Sequence, residues 1–298
     1  MHPSTIGHTI GIAASASPFD RKEFDAGVDQ LRSLGFKVWF DERIFAKERY
    51  FSGSDAARAQ LLMDLFENSD ISAIMFARGG YGSSRIIPLL DKKRIKKFRK
   101  PVIGFSDVTT LLLWLRQECD VPTFYGPVIT QLGRATSKAT LQSLGNVLMN
   151  NHHHAIDLQG AEILKKGVAR GRLTGGCLSL IISSLATPYE IDTKKSILFF
   201  EDTGEKVYAL DRMVTQLKHA GKLSSVAAIL VGTVSPRESE PHDLRTMLLD
   251  VFSDFTGPLI MNVPAGHGDP FITLPLGAEV EVDARGTLPQ LAIVQRSI

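Results

Sequence analysis

Three short stretches of this 298-residue chain carry the residue types of covalent acyl transfer. The first surrounds Ser106, which lies between the apolar run Pro101-Val102-Ile103-Gly104-Phe105 and a helix opening at Asp107-Val108-Thr109-Thr110. A serine between a strand's carboxyl end and a helix's amino end faces backbone N–H groups that lack intrahelical partners. Those donors and the helix dipole favour a negative charge forming beside the serine oxygen. This is the geometry of a nucleophile elbow, in which the following residue's N–H helps to hold an oxyanion. Gly104-Phe105-Ser106-Asp107-Val108 has the first glycine of G-x-S-x-G and lacks the second, so the residues also fit a serine that only caps the helix.

The second stretch is Gly79-Gly80-Tyr81-Gly82, which follows an apolar segment and precedes a helical one. Without side chains in the way, its N–H groups can approach a ligand closely, either as a second oxyanion donor or as a phosphate cradle. The dinucleotide fingerprint fails here, because Arg85 stands where its third glycine belongs, and the chain contains no G-x-x-x-x-G-K-[ST]. The third stretch is Gly266-His267-Gly268, whose glycines leave an imidazole uncrowded as a general base. Such a base needs a carboxylate to fix its tautomer. Glu201 and Asp202 both follow the apolar run Ile197-Leu198-Phe199-Phe200, at a strand's carboxyl end. They point to opposite faces if that strand continues, and the residues alone do not choose between them. The order Ser106, Glu201, His267 is that of α/β-hydrolase triads.

The elements that must position these groups alternate in the first half of the chain. Strands are expected at residues 9–14, 36–40, 73–77 and 101–105. Helices are expected at 20–34 (ended by Gly35), at 55–67 behind Ser54, and at 83–90. Repeated βα units with apolar strands imply a parallel sheet covered on both faces. In the second half, strands are expected at 168–173, 196–200, 227–231, 271–274, 278–282 and 291–294. Helices are expected there at 178–185, 208–220 and 242–255. The polar segment beginning Asn150-Asn151-His152-His153-His154 reads as a linker, because consecutive histidines cannot all face one metal ion. The resulting domains are 1–150, a linker at 151–166, and 167–298.

Hydrophobic residues make up 44% of the chain and charged residues 22%, enough for a substantial core. A formal charge of +2 gives no case for nucleic acid or a membrane surface, and the basic run from Lys92 to Lys100 reads as a solvated helix face. Two distant cysteines, Cys119 and Cys177, suit a reducing compartment, and Cys177 reads as a small packed hydrophobe. No signal core or membrane-length run is present, so a cytoplasmic protein is expected.

Taken together, these motifs resemble the serine LD-carboxypeptidases, the muramoyltetrapeptide carboxypeptidase family that also contains the microcin C immunity peptidase. The likeness runs through Ala77-Arg78-Gly79-Gly80-Tyr81-Gly82, Gly104-Phe105-Ser106-Asp107-Val108-Thr109 and Gly171-Arg172-Leu173-Thr174-Gly175-Gly176. It continues through Phe200-Glu201-Asp202-Thr203-Gly204-Glu205, Leu210-Asp211-Arg212-Met213, Pro264-Ala265-Gly266-His267-Gly268 and Leu274-Pro275-Leu276-Gly277-Ala278. The family usually has asparagine at the position of Cys177 and histidine at that of Tyr125, neither of them a triad position.

The resemblance implies an N-terminal parallel-sheet α/β domain bearing Ser106 and a C-terminal β-rich α+β domain, with the active site at their interface. It selects Glu201 over Asp202, gives the catalytic set Ser106, Glu201 and His267, and gives Gly80 and Asp107 as oxyanion and substrate-binding residues. The implied reaction removes the terminal D-alanine of a muropeptide tetrapeptide through an acyl-enzyme, by a homodimer that uses no metal or organic cofactor. Two other readings stand beside it: a microcin immunity-type peptidase cutting aminoacyl-nucleotide conjugates, and a ligand-binding sensor that uses the glycine loop.

Overall fold

A computed structural model of the protein describes residues 8–134, 136–149, 155–235 and 243–295. The His152–His154 run and His242 lie outside the described residues. The chain divides into two compact units, residues 1–152 with 273–275, and residues 153–272 with 276–298.

The first unit alternates strand and helix: β1 (Thr9–Ala13), α1 (Arg21–Ser33), β2 (Lys37–Trp39), α2 (Asp55–Glu67) and β3 (Ile71–Phe76). It continues through α3 (Ser83–Ile86), α4 (Lys92–Phe98), β4 (Val102–Gly104), α5 (Thr109–Cys119), β5 (Thr123–Tyr125), α6 (Ile129–Leu132) and α7 (Lys138–Leu148). The local causes are plain in α1. Asp20 accepts hydrogen bonds from the N–H groups of Lys22 and Glu23, and Phe24, Gly27, Val28 and Leu31 form the buried stripe. α5 is buried all along Thr109–Leu115, and each such leucine contributes about 1.5–3 kcal/mol of burial. The basic run forms α4, where Ile95 is the buried residue, as a solvated face requires.

Strands β2, β1, β3, β4 and β5 are parallel neighbours in that order. In such a sheet the order reverses between β1 and β3, and ligands bind outside the strand carboxyl ends at that switch point. The loops after β1, β3 and β4 carry Ser15 and Ser17, Gly79–Gly82, and Ser106 respectively.

The second unit contains β6 (Ala155–Ile156), β7 (Glu162–Lys165), β8 (Val168–Cys177), α8 (Leu178–Ser183), β9 (Ser196–Thr203) and α9 (Val207–His219). It continues with β10 (Ala228–Ser235), α10 (Leu244–Val251) and β11 (Leu259–Met261). After β12 (Leu274–Leu276) it closes with β13 (Glu279–Asp283) and β14 (Gln290–Gln295). Its sheet runs β6-β14-β13-β8-β9-β10-β11-β7, with a parallel core from β8 to β11 and antiparallel strands on both flanks. β12 pairs instead beside β5, as the sixth strand of the first sheet.

Several expectations change: the helix expected at 242–255 forms at Leu244–Val251, and the one at 83–90 ends at Ile86. The stretch read as a linker contributes β6 and β7, each hydrogen-bonded into the second sheet. The late strand expected at 271–274 forms at Leu274–Leu276. Thr174-Gly175-Gly176, beyond the strand expected at 168–173, continues β8 in register with β9. Glycine is needed there because a Cβ on Gly175 would fall 1.7 Å from the Phe199 carbonyl oxygen.

Candidate active site

β4 ends at Gly104, Phe105 is extended, and Ser106 takes φ +59° before a single 3-10 turn feeds α5. The cap positions fall on Phe105 and Val108 without side-chain capping bonds, so Ser106 is not the helix cap that its sequence also allowed. A left-handed backbone costs a residue with a Cβ about 1–2 kcal/mol, and such outliers cluster at functional sites. Ser106→Gly is therefore expected to exceed Ser106→Ala in unfolding free energy by about 1 kcal/mol in urea titrations. An alanine variant as stable as the glycine one would show that the turn stores no strain.

The glycine loop packs directly on this serine. A Cβ on Gly79 would stand 2.9 Å from Ser106 Cβ, 3.1 Å from its Oγ and 3.5 Å from the Asp107 nitrogen. Gly80 has φ +109°, and a Cβ there would reach Ser17 Oγ at 2.4 Å. Two bonds hold the loop to the β1 side: Ser17 N–H donates to the Gly79 carbonyl at 3.3 Å, and Tyr81 N–H donates to Ser17 Oγ at 3.2 Å. By contrast, the N–H groups of Gly80 and Asp107 meet no acceptor among the described residues. Gly79 thus lies against the Ser106 side chain, and the residues that follow each of these two, Gly80 and Asp107, keep open N–H groups of the kind an oxyanion requires.

In the second unit, β9 runs past the predicted end and carries both acidic residues. The Glu201 side chain is fully buried, and its Oε2 accepts from His267 Nδ1 at 2.7 Å and from the His267 backbone N–H at 3.1 Å. A carboxylate oxygen in this position accepts, which puts the ring hydrogen on Nδ1 and the lone pair of a neutral imidazole on Nε2. The close approach explains the flanking glycine: Gly266 has φ +118°, and a Cβ there would lie 2.4 Å from Glu201 Oε2.

Asp202 faces the other way and accepts the N–H groups of Ser179 at 2.7 Å and Thr203 at 2.8 Å. Burial pushes its carboxyl up from the usual range. Cys177 stands opposite Glu201 in register, and burial raises its thiol well above the ordinary value. That disfavours the thiolate a nucleophile needs.

Sequence reasoning did not find the partners of the Ser106 turn. Tyr125 is fully buried, lies edge-on to Phe105 at 6.2 Å, and accepts the Ser106 N–H at 3.4 Å through its hydroxyl. Its departure from the family histidine was the one available signal. Ser17, Ser83 and Arg58 left no local trace, since the contacts that tie them to this site join segments 24 or more residues apart.

With this geometry in hand, the chain belongs to the LD-carboxypeptidase family: residues 10–126 match the LD-carboxypeptidase N-terminal domain and residues 170–282 the C-terminal domain. It is a serine-type carboxypeptidase, a hydrolase. A Bacillus subtilis (strain 168) protein named "Probable murein peptide carboxypeptidase" is 33% identical over 98% of this chain and 93% of its own. The muramoyltetrapeptide carboxypeptidase of Oxalobacter formigenes superposes with a TM-score of 0.86 at 26% identity, over 96% of this chain and 98% of that one. Wild-type microcin C7 self immunity protein MccF, without ligand, superposes with a TM-score of 0.92 at 25% identity, over 98% of each chain. Membership in this hydrolase family replaces the sensor reading. No helix among the described residues is long and apolar enough to cross a membrane.

Proposed function

We propose that the enzyme removes the terminal D-alanine from muropeptide tetrapeptides, with Ser106 as nucleophile, His267 as general base and Glu201 as its orienting carboxylate. The observation that carries this reading is Ser106 in a left-handed turn with the glycine loop packed on it through Gly79, the next residues Asp107 and Gly80 each keeping an open N–H. The names of the Bacillus and Oxalobacter relatives support a murein peptide as substrate. In the first step Ser106 Oγ bonds to the carbonyl carbon while its proton passes to His267 Nε2. The Asp107 and Gly80 N–H groups receive the oxyanion. The C–N bond then breaks, D-alanine leaves with the proton from Nε2, and water repeats the sequence on the acyl-enzyme. No cofactor enters these steps. A cytoplasmic homodimer acting on recovered peptidoglycan fragments completes the reading.

Likeness to the microcin immunity protein MccF, which has also been solved in complex with aspartyl sulfamoyl adenosine, supports a second substrate class, the aminoacyl-nucleotide conjugates. Purified enzyme should release D-alanine from a muramyl tetrapeptide and leave an aminoacyl sulfamoyl adenosine intact, followed by liquid chromatography. Preferential cleavage of the sulfamoyl adenosine would reverse the assignment. An alkyl fluorophosphonate should label Ser106 in either case.

A further inference from the structure

Behind the glycine loop lies a buried polar cluster that the proposed chemistry does not use directly. Arg58 on α2 is 1% exposed, as are Ser15 and Asp107, and Ser83 is fully buried. The Arg58 guanidinium donates to the carbonyls of Gly82 at 3.0 Å and Gly53 at 3.1 Å, to the Ser15 carbonyl, and to Asp55. Ser15 and Ser83 share a hydroxyl hydrogen bond of 2.7 Å. Asp107 Oδ2 accepts the Ser83 N–H at 2.8 Å, while Oδ1 is buried with no hydrogen-bond partner.

The far end of the loop is thus held by a cation at the Gly82 carbonyl and by a carboxylate at the next N–H. That carboxylate belongs to Asp107, which directly follows Ser106 and whose open backbone N–H the proposed mechanism assigns to the oxyanion. We infer that Asp107 and Arg58 are positioning residues, which fix the Gly79–Gly82 loop against Ser106 so that the two oxyanion donors stand at a constant separation. This rests on the oxyanion reading of Gly80 and Asp107 above.

The cost of the arrangement supports a role beyond packing. An unpaired buried polar atom costs about 1–3 kcal/mol, and more when charged. Burial pushes the Asp107 carboxyl up and the Arg58 guanidinium down, against the hydrogen bonds that Ser83 and Asp55 supply. Apolar residues often replace buried ion groups without loss of stability, so the fold alone does not demand these two. Preorganised donors, however, are effective only if they do not move as charge develops. A guanidinium that reaches three carbonyls in a fixed fork does this better than a flexible ammonium.

The test uses the full-length enzyme, with muramyl tetrapeptide turnover, alkyl fluorophosphonate labelling and thermal melting measured on each variant. Asp107→Ala is expected to lose about a hundred- to a thousandfold in kcat, the scale of a lost oxyanion donor, with KM within about twofold. Asp107→Asn keeps an oxygen for the Ser83 N–H and should recover kcat to within about tenfold of wild type. The labelling rate should fall in step with kcat. Ser83→Ala, a milder change that leaves the charges in place, should show the same pattern with a smaller loss. Arg58→Lys should fall below wild type in kcat, since an ammonium cannot span the same carbonyls.

Wild-type kcat in folded Asp107→Ala, or a loss confined to KM or to the folded fraction, would overturn the inference. So would Asp107→Asn as slow as Asp107→Ala. Ser106→Ala separates the two levels: if it is inactive while Asp107→Ala is unimpaired, only the positioning role fails. If Ser106→Ala turns over normally, the oxyanion reading fails with it.

Discussion

Ser106→Ala and His267→Ala should each reduce turnover by about a millionfold, because a nucleophile and its base act as one unit. In the proposed triad, removing either leaves the other with no partner for proton transfer, so the double variant should be scarcely worse than the single ones. What survives is catalysis by the oxyanion donors and by binding, about 10³–10⁴-fold over water. The Ser106→Ala protein should keep its fold, since alanine occupies the same left-handed backbone with no added bulk. It should also still bind a tetrapeptide, measured by calorimetry with the uncleaved substrate. Near-wild-type turnover in either folded variant would remove the triad assignment.

Glu201→Ala should cost about 10⁴-fold in kcat, the scale seen when a triad carboxylate is lost. The geometry makes a sharper statement about Glu201→Gln. Both His267 donors, the ring Nδ1–H and the backbone N–H, point at one oxygen, Oε2. A glutamine amide would turn its oxygen to that position, because its NH₂ group would meet two donors there. The correct imidazole tautomer therefore persists, and only stabilisation of the imidazolium is lost. Glu201→Gln should accordingly fall between wild type and Glu201→Ala. Asp202→Asn should change kcat by less than about tenfold, since Asp202 holds backbone N–H groups and not the histidine. Steady-state kinetics on folded variants decide this. A larger loss in Asp202→Asn than in Glu201→Ala would identify the wrong carboxylate, and a glutamine variant as slow as alanine would show that the amide nitrogen faces His267.

Much of the scaffold was legible because its causes are local. Asp20 caps α1 and Ser54 caps α2 as their residue types demand, and the apolar strands before Gly79 and Ser106 stand where they were read. The two edge strands of the second sheet were not legible. β7 is half-buried throughout and β6 has only two residues, so neither shows an apolar pattern until its partner is in place. Nor did the glycines of β8 reveal a strand. Their meaning depends on how near β9 comes, which sequence spacing does not encode.

The sequence by itself determined which side chains could do chemistry, their order along the chain, and the strand–loop–helix settings of Ser106 and Gly79–Gly82. Tertiary structure decided the rest. It set Ser106 at φ +59°, turned Glu201 rather than Asp202 toward His267, and buried Arg58 against the Gly82 carbonyl. Each of these is fixed by a contact between segments distant in the chain, such as Gly266 lying against Glu201 or Gly79 against Ser106. A residue's type limits the bonds it can make, whereas the groups it meets are chosen by the packing of the whole unit.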